Sequence, residues 1–226
     1  MYSRKEWTYI LSTSVLAVAL ISPAVLNCFD ARIYFMETSM LHKLCAIHAA
    51  VSTTCGMEFY SRHYHRYTWH NKASNLFDIH QTHHTKKSVN SYWEKNDVLG
   101  ILNFFIVIGP LIWSSQQEPT FGTVALLGLC IGISIFGTCY MIVHDGVCHR
   151  RFPVFGLQRI PFIQNIAKAH AQHHTSDQGA PYGLFLGPQE LAAHANGHQP
   201  SHMPWYLKYS LVLSTSIAAF GLLGGY

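Results

Sequence analysis

The sequence predicts an all-α fold: a polytopic membrane bundle of helices with a histidine-rich di-metal cap at the membrane surface. Three observations predict it. Hydrophobic residues make up 49% of the 226 and charged residues only 12%, where soluble domains average ~25% charged. The apolar residues gather into uncharged blocks, and ten of the 16 histidines gather into four spaced clusters. Backbone in lipid must satisfy its own hydrogen bonds, so helix is the economical way to span. The chain reads as one integral membrane domain over 1–226, with four or five spans.

The blocks follow in order. Residues 9–26 carry no charge over 18 positions, and 44–57 form a weaker stretch with His48 inside it. Residues 98–113 are uncharged over 16 positions, 121–143 over 23, and 209–223 form a shorter run. A span needs ~20 apolar residues, with a lower limit near ~17. Block 121–143 is therefore a strong span and 9–26 a good one. Block 98–113 spans with help from its flanks, and 209–223 offers an extra span within a divergent tail, 192–226. Arg4 and Lys5 precede the first block as in a signal peptide. No A-x-A-like cleavage site follows and Pro23 interrupts the run, which reads as a retained anchor. The six cysteines (Cys28, Cys45, Cys55, Cys130, Cys139, Cys148) form no CxxC pair and lie mostly in apolar blocks. Neither a disulfide framework nor a thiolate zinc site is expected from them.

The histidine clusters are His65/His70, His80/His83/His84, His144/His149 and His170/His173/His174. As patterns they read HxxxxH, HxxHH, HxxxxH, HxxHH, so one bipartite motif occurs twice. Neutral imidazole is the commonest protein ligand for Fe, Zn, Cu and Ni. On a helix, i, i+3 and i+4 share a face, so each HxxHH is expected to aim three imidazoles at one point. Residues i and i+5 diverge by ~140° on an ideal helix. The HxxxxH pairs therefore suit a helix end, or two neighbouring metals, better than one chelated ion. Ten ligands are too many for one metal and about right for two. A lone histidine is more often an ordinary core or surface residue, but two spaced repeats are hard to explain that way. Storage tracts for zinc are low-complexity runs, unlike these.

Two spans separate the two motif pairs, so the chain returns to the side it left and all ten histidines can meet on one face. Charge identifies that face. Arg62, Arg66, Lys72, Lys86, Lys87 and Lys95 accompany the first pair, and Arg150, Arg151, Arg159 and Lys168 the second. The connection 114–120 has no Lys or Arg. The positive-inside rule then puts the histidine face on the cytoplasmic or stromal side. His65 and His144 follow apolar blocks closely, so those helices are expected to run on past the membrane surface with their first ligands. A substrate dissolved in lipid could reach metals placed there.

Glu58, Asp78, Glu94, Asp97, Asp145 and Asp177 are the acids in or beside the clusters. Asp145 adjoins His144 and Asp97 starts the third span, so these two are the candidates for orienting ligand histidines. A nitrogen-rich site without cysteine suits Fe, Zn or Cu. Zinc would serve hydrolysis as a Lewis acid, but neither G-x-S-x-G nor HExxH occurs. Two irons point instead to oxidation of an unactivated C–H bond, with O₂ as co-substrate and electrons from outside. No dinucleotide or flavin fingerprint is present, so the electrons need a separate carrier, and the basic face could dock an acidic one. The modest net charge of +4 makes no case for nucleic acid.

The stretches Met57-Glu58, RHYHRYTWH (62–70), HQTHH (80–84), EKNDV (94–98), VHDGVCHRRFPV (143–154), AHAQHHT (169–175) and PYGLFLGPQEL (181–191) carry a resemblance. Together they resemble the β-carotene 3-hydroxylases, within the fatty-acid hydroxylase and sterol desaturase superfamily, over about 56–191. HxxHH alone would identify only the superfamily; HDGxxHRRFPV followed by PYGLFLGP narrows it. The resemblance implies an integral membrane, non-haem di-iron monooxygenase that hydroxylates carbon 3 of carotenoid β-rings, taking β-carotene through β-cryptoxanthin to zeaxanthin. It implies reduced ferredoxin as electron donor, a carotenoid substrate drawn from membrane lipids, and the ten motif histidines as ligands of two irons. The sequence departs from the pattern at Asp78, where a histidine is common, and in the tail from Ala192, with His194, His198 and His202. Alternatives are a related ketolase or a lipid or sterol oxidase and, from another class, a non-redox membrane metal-binding protein. A transporter would line its spans with histidines, whereas only His48 lies in an apolar block. A haem bundle would need isolated axial histidines rather than tight triplets.

Overall fold

The computed structural model describes residues 38–85, 94–175, 179–198 and 202–223, and the described residues are helical with no strand. Block 9–26, Cys28, Lys86, Lys87 and Asp177 lie outside them. Among the described residues seven α-helices follow in order: α1 (Met40–Tyr64), α2 (Phe77–His84), α3 (Asp97–Ser115), α4 (Phe121–Met141), α5 (Pro161–Thr175), α6 (Gly187–Ala195) and α7 (Trp205–Leu222). α1 continues into a π turn over His65–Trp69 and α4 into a longer one over Ile142–Cys148.

Helix starts follow local chemistry. Asp97 reaches back so that its Oδ2 accepts the Glu94 N–H at 3.0 Å, capping the entry to α3. Thr120 and Thr123 cap the entry to α4 reciprocally, each hydroxyl accepting the other's backbone N–H at 2.9 and 3.2 Å. α5 opens on Pro161, whose missing N–H is no loss in a first turn.

Among the described residues two helices are long and apolar enough to cross a membrane, Asp97–Ser115 and Phe121–Cys148. Much of their surface is apolar and outward: Val98, Ile101, Leu102, Phe105 and Ile106 on α3 are all exposed. Such a surface is at home in lipid and costly in water. Blocks 44–57 and 209–223 both fall inside helices, α1 and α7.

The chain divides into two compact units. In one, residues 38–54, 101–135 and 205–223, small residues let helices approach closely. A Cβ on Gly132 would strike the Ala50 carbonyl and the Thr53 side chain, and one on Gly122 would strike the Gly221 backbone. Within this unit His48 faces Ser210 through Nε2 at 3.2 Å and Ser214 through Nδ1 at 3.3 Å. That satisfies both nitrogens of the histidine inside an apolar block.

The other unit, residues 55–100 and 136–204, holds all ten motif histidines. Its apolar centre is Val143, Ile166 and Leu184, with Tyr140, Cys148, Ile163 and Phe185 against it. Gly146, between His144 and His149, is obligatory for packing, since a Cβ there would collide with Val154 and Phe152. The HDG and FPV parts of one motif are thus two sides of one contact.

Candidate metal centre

Four short segments bring the histidines together. His65 and His70 bracket the π turn that ends α1, and His144 and His149 sit on the one that ends α4. In both, the N–H of i+5 bonds the carbonyl of i, His70 to His65 at 3.0 Å and His149 to His144 at 2.9 Å. This wider winding returns residue i+5 to the face of residue i. The ~140° divergence expected from ideal α geometry is therefore removed, and the Nε2 atoms of His65 and His70 lie 3.1 Å apart.

Ligand nitrogens cluster in two groups, each within 4.8 Å: His65, His70, His80, His84 and His173, and His83, His149, His170 and His174. His144 adjoins the second, with its Nε2 3.1 Å from that of His83. The triplets do not aim at one point, as expected from their shared face. Each splits, with i and i+4 in one group and i+3 in the other. The reason is helical: i and i+4 differ by ~40°, while i+3 and i+4 lie ~100° apart on either side of i.

The ring Nδ1 atoms determine what each Nε2 can do. His65 donates Nδ1–H to the Tyr182 carbonyl at 2.7 Å, and His80 to Asn96 Oδ1 at 3.0 Å. His83 donates to Glu94 Oε2 at 2.7 Å, His144 to Asp145 Oδ1 at 3.0 Å and His173 to the Gly179 carbonyl at 2.7 Å. With the proton on Nδ1, each Nε2 presents a bare lone pair. Yet Nε2 of His65 and His80 are 3.0 Å apart, and those of His83 and His144 3.1 Å. Two lone pairs so placed repel, and neither contact can be a hydrogen bond. A cation within reach of both turns the repulsion into shared coordination. The donors also fit in spacing. Right-angled ligand pairs at ~2.1 Å from an ion stand ~3.0 Å apart, whereas tetrahedral zinc ligands stand ~3.3 Å apart. Edges of 3.0, 3.1 and 3.2 Å join His65, His70 and His80, and five donors exceed a tetrahedral shell.

Electrostatics favours the neutral, metal-binding form. Burial, reinforced by the neighbouring imidazoles, holds His65, His83 and His170 well below the usual histidine range. Burial likewise lowers His80 and His173 to about 3 and His174 to about 4. His84 and His149 are pushed down by the same causes.

Of the two candidate acids, Asp145 touches a motif histidine directly. Asp97 does not. It pairs with Arg151 through two bonds, 2.8 Å to Oδ1 and 2.6 Å to Oδ2, and Arg151 also reaches Asp145 Oδ1 at 3.2 Å. Asp97 thus steadies Asp145 through Arg151 and Glu94 through its backbone. Glu94 contacts His83, a pairing that the EKNDV stretch could have suggested. Asn96, Arg151 and the carbonyls of Gly179 and Tyr182 were not legible, and backbone acceptors leave no mark on residue type. Asp78 is exposed, and Glu58 is buried with its Oε1 accepting the Leu186 N–H at 2.9 Å.

A family model described as fatty acid hydroxylase matches residues 50–190. Beta-carotene 3-hydroxylase 1, chloroplastic, of Arabidopsis thaliana is 37% identical over 192 residues, covering 81% of this chain and 59% of that protein. Beta-carotene hydroxylase 1, chloroplastic, of Capsicum annuum is 33% identical over 201 residues, 84% of this chain and 61% of its own length. Beta-carotene hydroxylase of Paracoccus sp. (strain PC1) is 26% identical over 141 residues, 61% of this chain and 82% of its own. The chain spans about six-tenths of the plant relatives it matches first. No solved structure matches it.

Proposed function

The chain belongs to the fatty acid hydroxylase family, and from that premise we propose that it is a membrane non-haem di-iron monooxygenase acting on carotenoid β-rings. It hydroxylates carbon 3, converting β-carotene to β-cryptoxanthin and then zeaxanthin. The observation that carries the chemistry is the pair of imidazole groups whose bare lone pairs face one another at 3.0 and 3.1 Å. The choice of ring substrate is supported by the names of the plant and bacterial relatives.

His65, His70, His80, His84 and His173 would hold one ion, and His83, His149, His170 and His174, with His144 beside them, the other. Iron so held supplies the oxygen activation that an unactivated C–H bond requires. Each turnover takes O₂, two electrons and two protons, and gives one C–OH and one water. Asp145, Glu94 and Asn96 keep protons on Nδ1 so that Nε2 stays free to coordinate. Burial of His83 and His173, 2% and 1% exposed, keeps bulk water off the ligands. A reduced ferredoxin-type carrier supplies the electrons, docking on the basic residues Arg62, Arg66, Lys95, Arg150 and Lys168 by charge complementarity. The histidine face lies on the cytoplasmic or stromal side, and the substrate enters from the lipid phase.

The experiment is expression in bacteria that accumulate β-carotene, followed by pigment analysis. β-Cryptoxanthin and zeaxanthin are expected. Keto-carotenoids would reassign the chain as a ketolase, and unchanged pigment in membranes containing the folded, iron-loaded protein would overturn the proposal.

A further inference from the structure

We propose that Glu190 is a positioning residue for the first histidine group, acting on His65 through a single peptide unit. Glu190 lies on α6 and is 3% exposed. Its Oε2 accepts the N–H of Tyr182 at 2.9 Å and the N–H of Gly183 at 3.0 Å. The peptide joining Tyr182 to Gly183 therefore donates its N–H to a carboxylate at one end. At the other, its carbonyl accepts the His65 Nδ1–H at 2.7 Å. A negative charge on the N–H side pushes electron density onto the carbonyl oxygen, and hydrogen bonds in such chains strengthen one another. His65 thereby gains the tautomer control and basicity that Glu94 gives His83, and Asp145 gives His144, by direct contact.

The same turn serves further ligands. His173 donates its Nδ1–H to the Gly179 carbonyl, three residues before Tyr182, at 2.7 Å. The Tyr182 ring lies 5.9, 5.6 and 5.8 Å from the rings of His65, His70 and His173. All three belong to the first group. A second buried acid secures the far end of the turn, where Glu58 Oε1 accepts the Leu186 N–H at 2.9 Å. Gly183 makes room for Glu58, since a Cβ there would stand 2.8 Å from its Oε1. Burying a carboxylate is costly unless it is fully bonded. An apolar residue would pack α6 more cheaply, so the acid at this position is explained by the peptide it polarises.

The inference rests on the reading that the two histidine groups bind metal, and it predicts an effect on one group only. The test uses the full-length protein in detergent, loaded with Co²⁺ or Fe²⁺, with ions counted per chain and affinities measured by chelator competition. Wild type should bind two ions. Glu190→Gln keeps the shape and one acceptor oxygen but loses the charge. It should still bind two, with one site weakened ~10–100-fold, the usual range for removing a ligand's hydrogen-bond partner. Glu190→Ala should retain about one ion per chain. Should the alanine variant fail to fold by circular dichroism, Glu190→Gln decides. Two sites of wild-type affinity in Glu190→Gln, or equal weakening of both, would overturn the role of Glu190. A folded wild type that binds no ion would instead overturn the metal reading beneath it.

Discussion

His80 and His83 share one turn of α2 yet serve different groups: Nε2 of His80 lies 3.0 Å from that of His65, and Nε2 of His83 lies 3.1 Å from that of His144. α5 mirrors this, with His170 and His174 in one group and His173 in the other. Each of these helices therefore contributes candidate ligands to both groups.

Loss of either i+3 histidine should therefore empty the one group it serves. His83→Ala or His173→Ala is expected to abolish hydroxylation and to reduce bound metal by about one ion per chain. His194→Ala, His198→Ala and His202→Ala should keep most activity, because all three residues are exposed in the tail. Pigment conversion at matched protein levels, with metal analysis alongside, makes the comparison. Essential tail histidines with a dispensable His173 would refute the assignment.

The Asp97–Arg151–Asp145 network should divide by distance from the histidines. Asp145→Asn removes the partner of His144 and should cost ~10–100-fold in metal affinity or activity. Asp97→Asn acts through Arg151 and should cost less. Arg151→Ala takes the guanidinium from two part-buried carboxylates, 18% and 24% exposed, and should cost ~1.5–3 kcal/mol, the range for a hydrogen bond to a charged group. The melting temperature reports the last effect, and an unchanged value would mean that the ion pairs do not support the fold.

Iron rather than zinc should support turnover, although affinity alone favours zinc over ferrous iron. Metal-free protein reconstituted with each ion, then given O₂, substrate and an electron donor, separates the two. Equal conversion with zinc would exclude an oxidative mechanism.

Stability of the metal-free protein should fall on acidification. The ordinary histidine value is 6.5, while burial lowers His80 and His173 to about 3 and His174 to about 4 in the fold. Below pH 6.5 the unfolded chain takes up protons that the folded rings refuse, so stability present at neutral pH is lost progressively toward pH 3. Each ring contributes a slope of up to ~1.4 kcal/mol per pH unit. Bound metal should shift the onset to lower pH, since it holds the imidazoles unprotonated. Denaturant midpoints between pH 7 and 5 measure this. A flat profile for the metal-free protein would contradict the buried, neutral rings.

The sequence alone determined the helical class, the apolar helices and the candidate histidines. Hydropathy marked 98–113 and 121–143, which the structure extends to Asp97–Ser115 and Phe121–Cys148, and spacing picked out the ten histidines. Adjacency in the chain was enough to pair Asp145 with His144. The tertiary structure decided how the histidines are shared. Ideal helical angles predicted converging triplets, which the structure splits, and HxxxxH pairs at helix ends, which it shows, with a π winding that brings their rings together. The 60–100° separating i+3 from its partners becomes a division between groups only when a second helix faces it, and the π winding at His65 and His144 is a backbone choice without a residue signature. The controls on Nδ1 were hidden for the same reason. The Tyr182 carbonyl meets His65 across 117 positions of chain, and every residue type offers a carbonyl. Residue identity shows which side chains can bind a metal, but only packing shows which neighbours hold them in place.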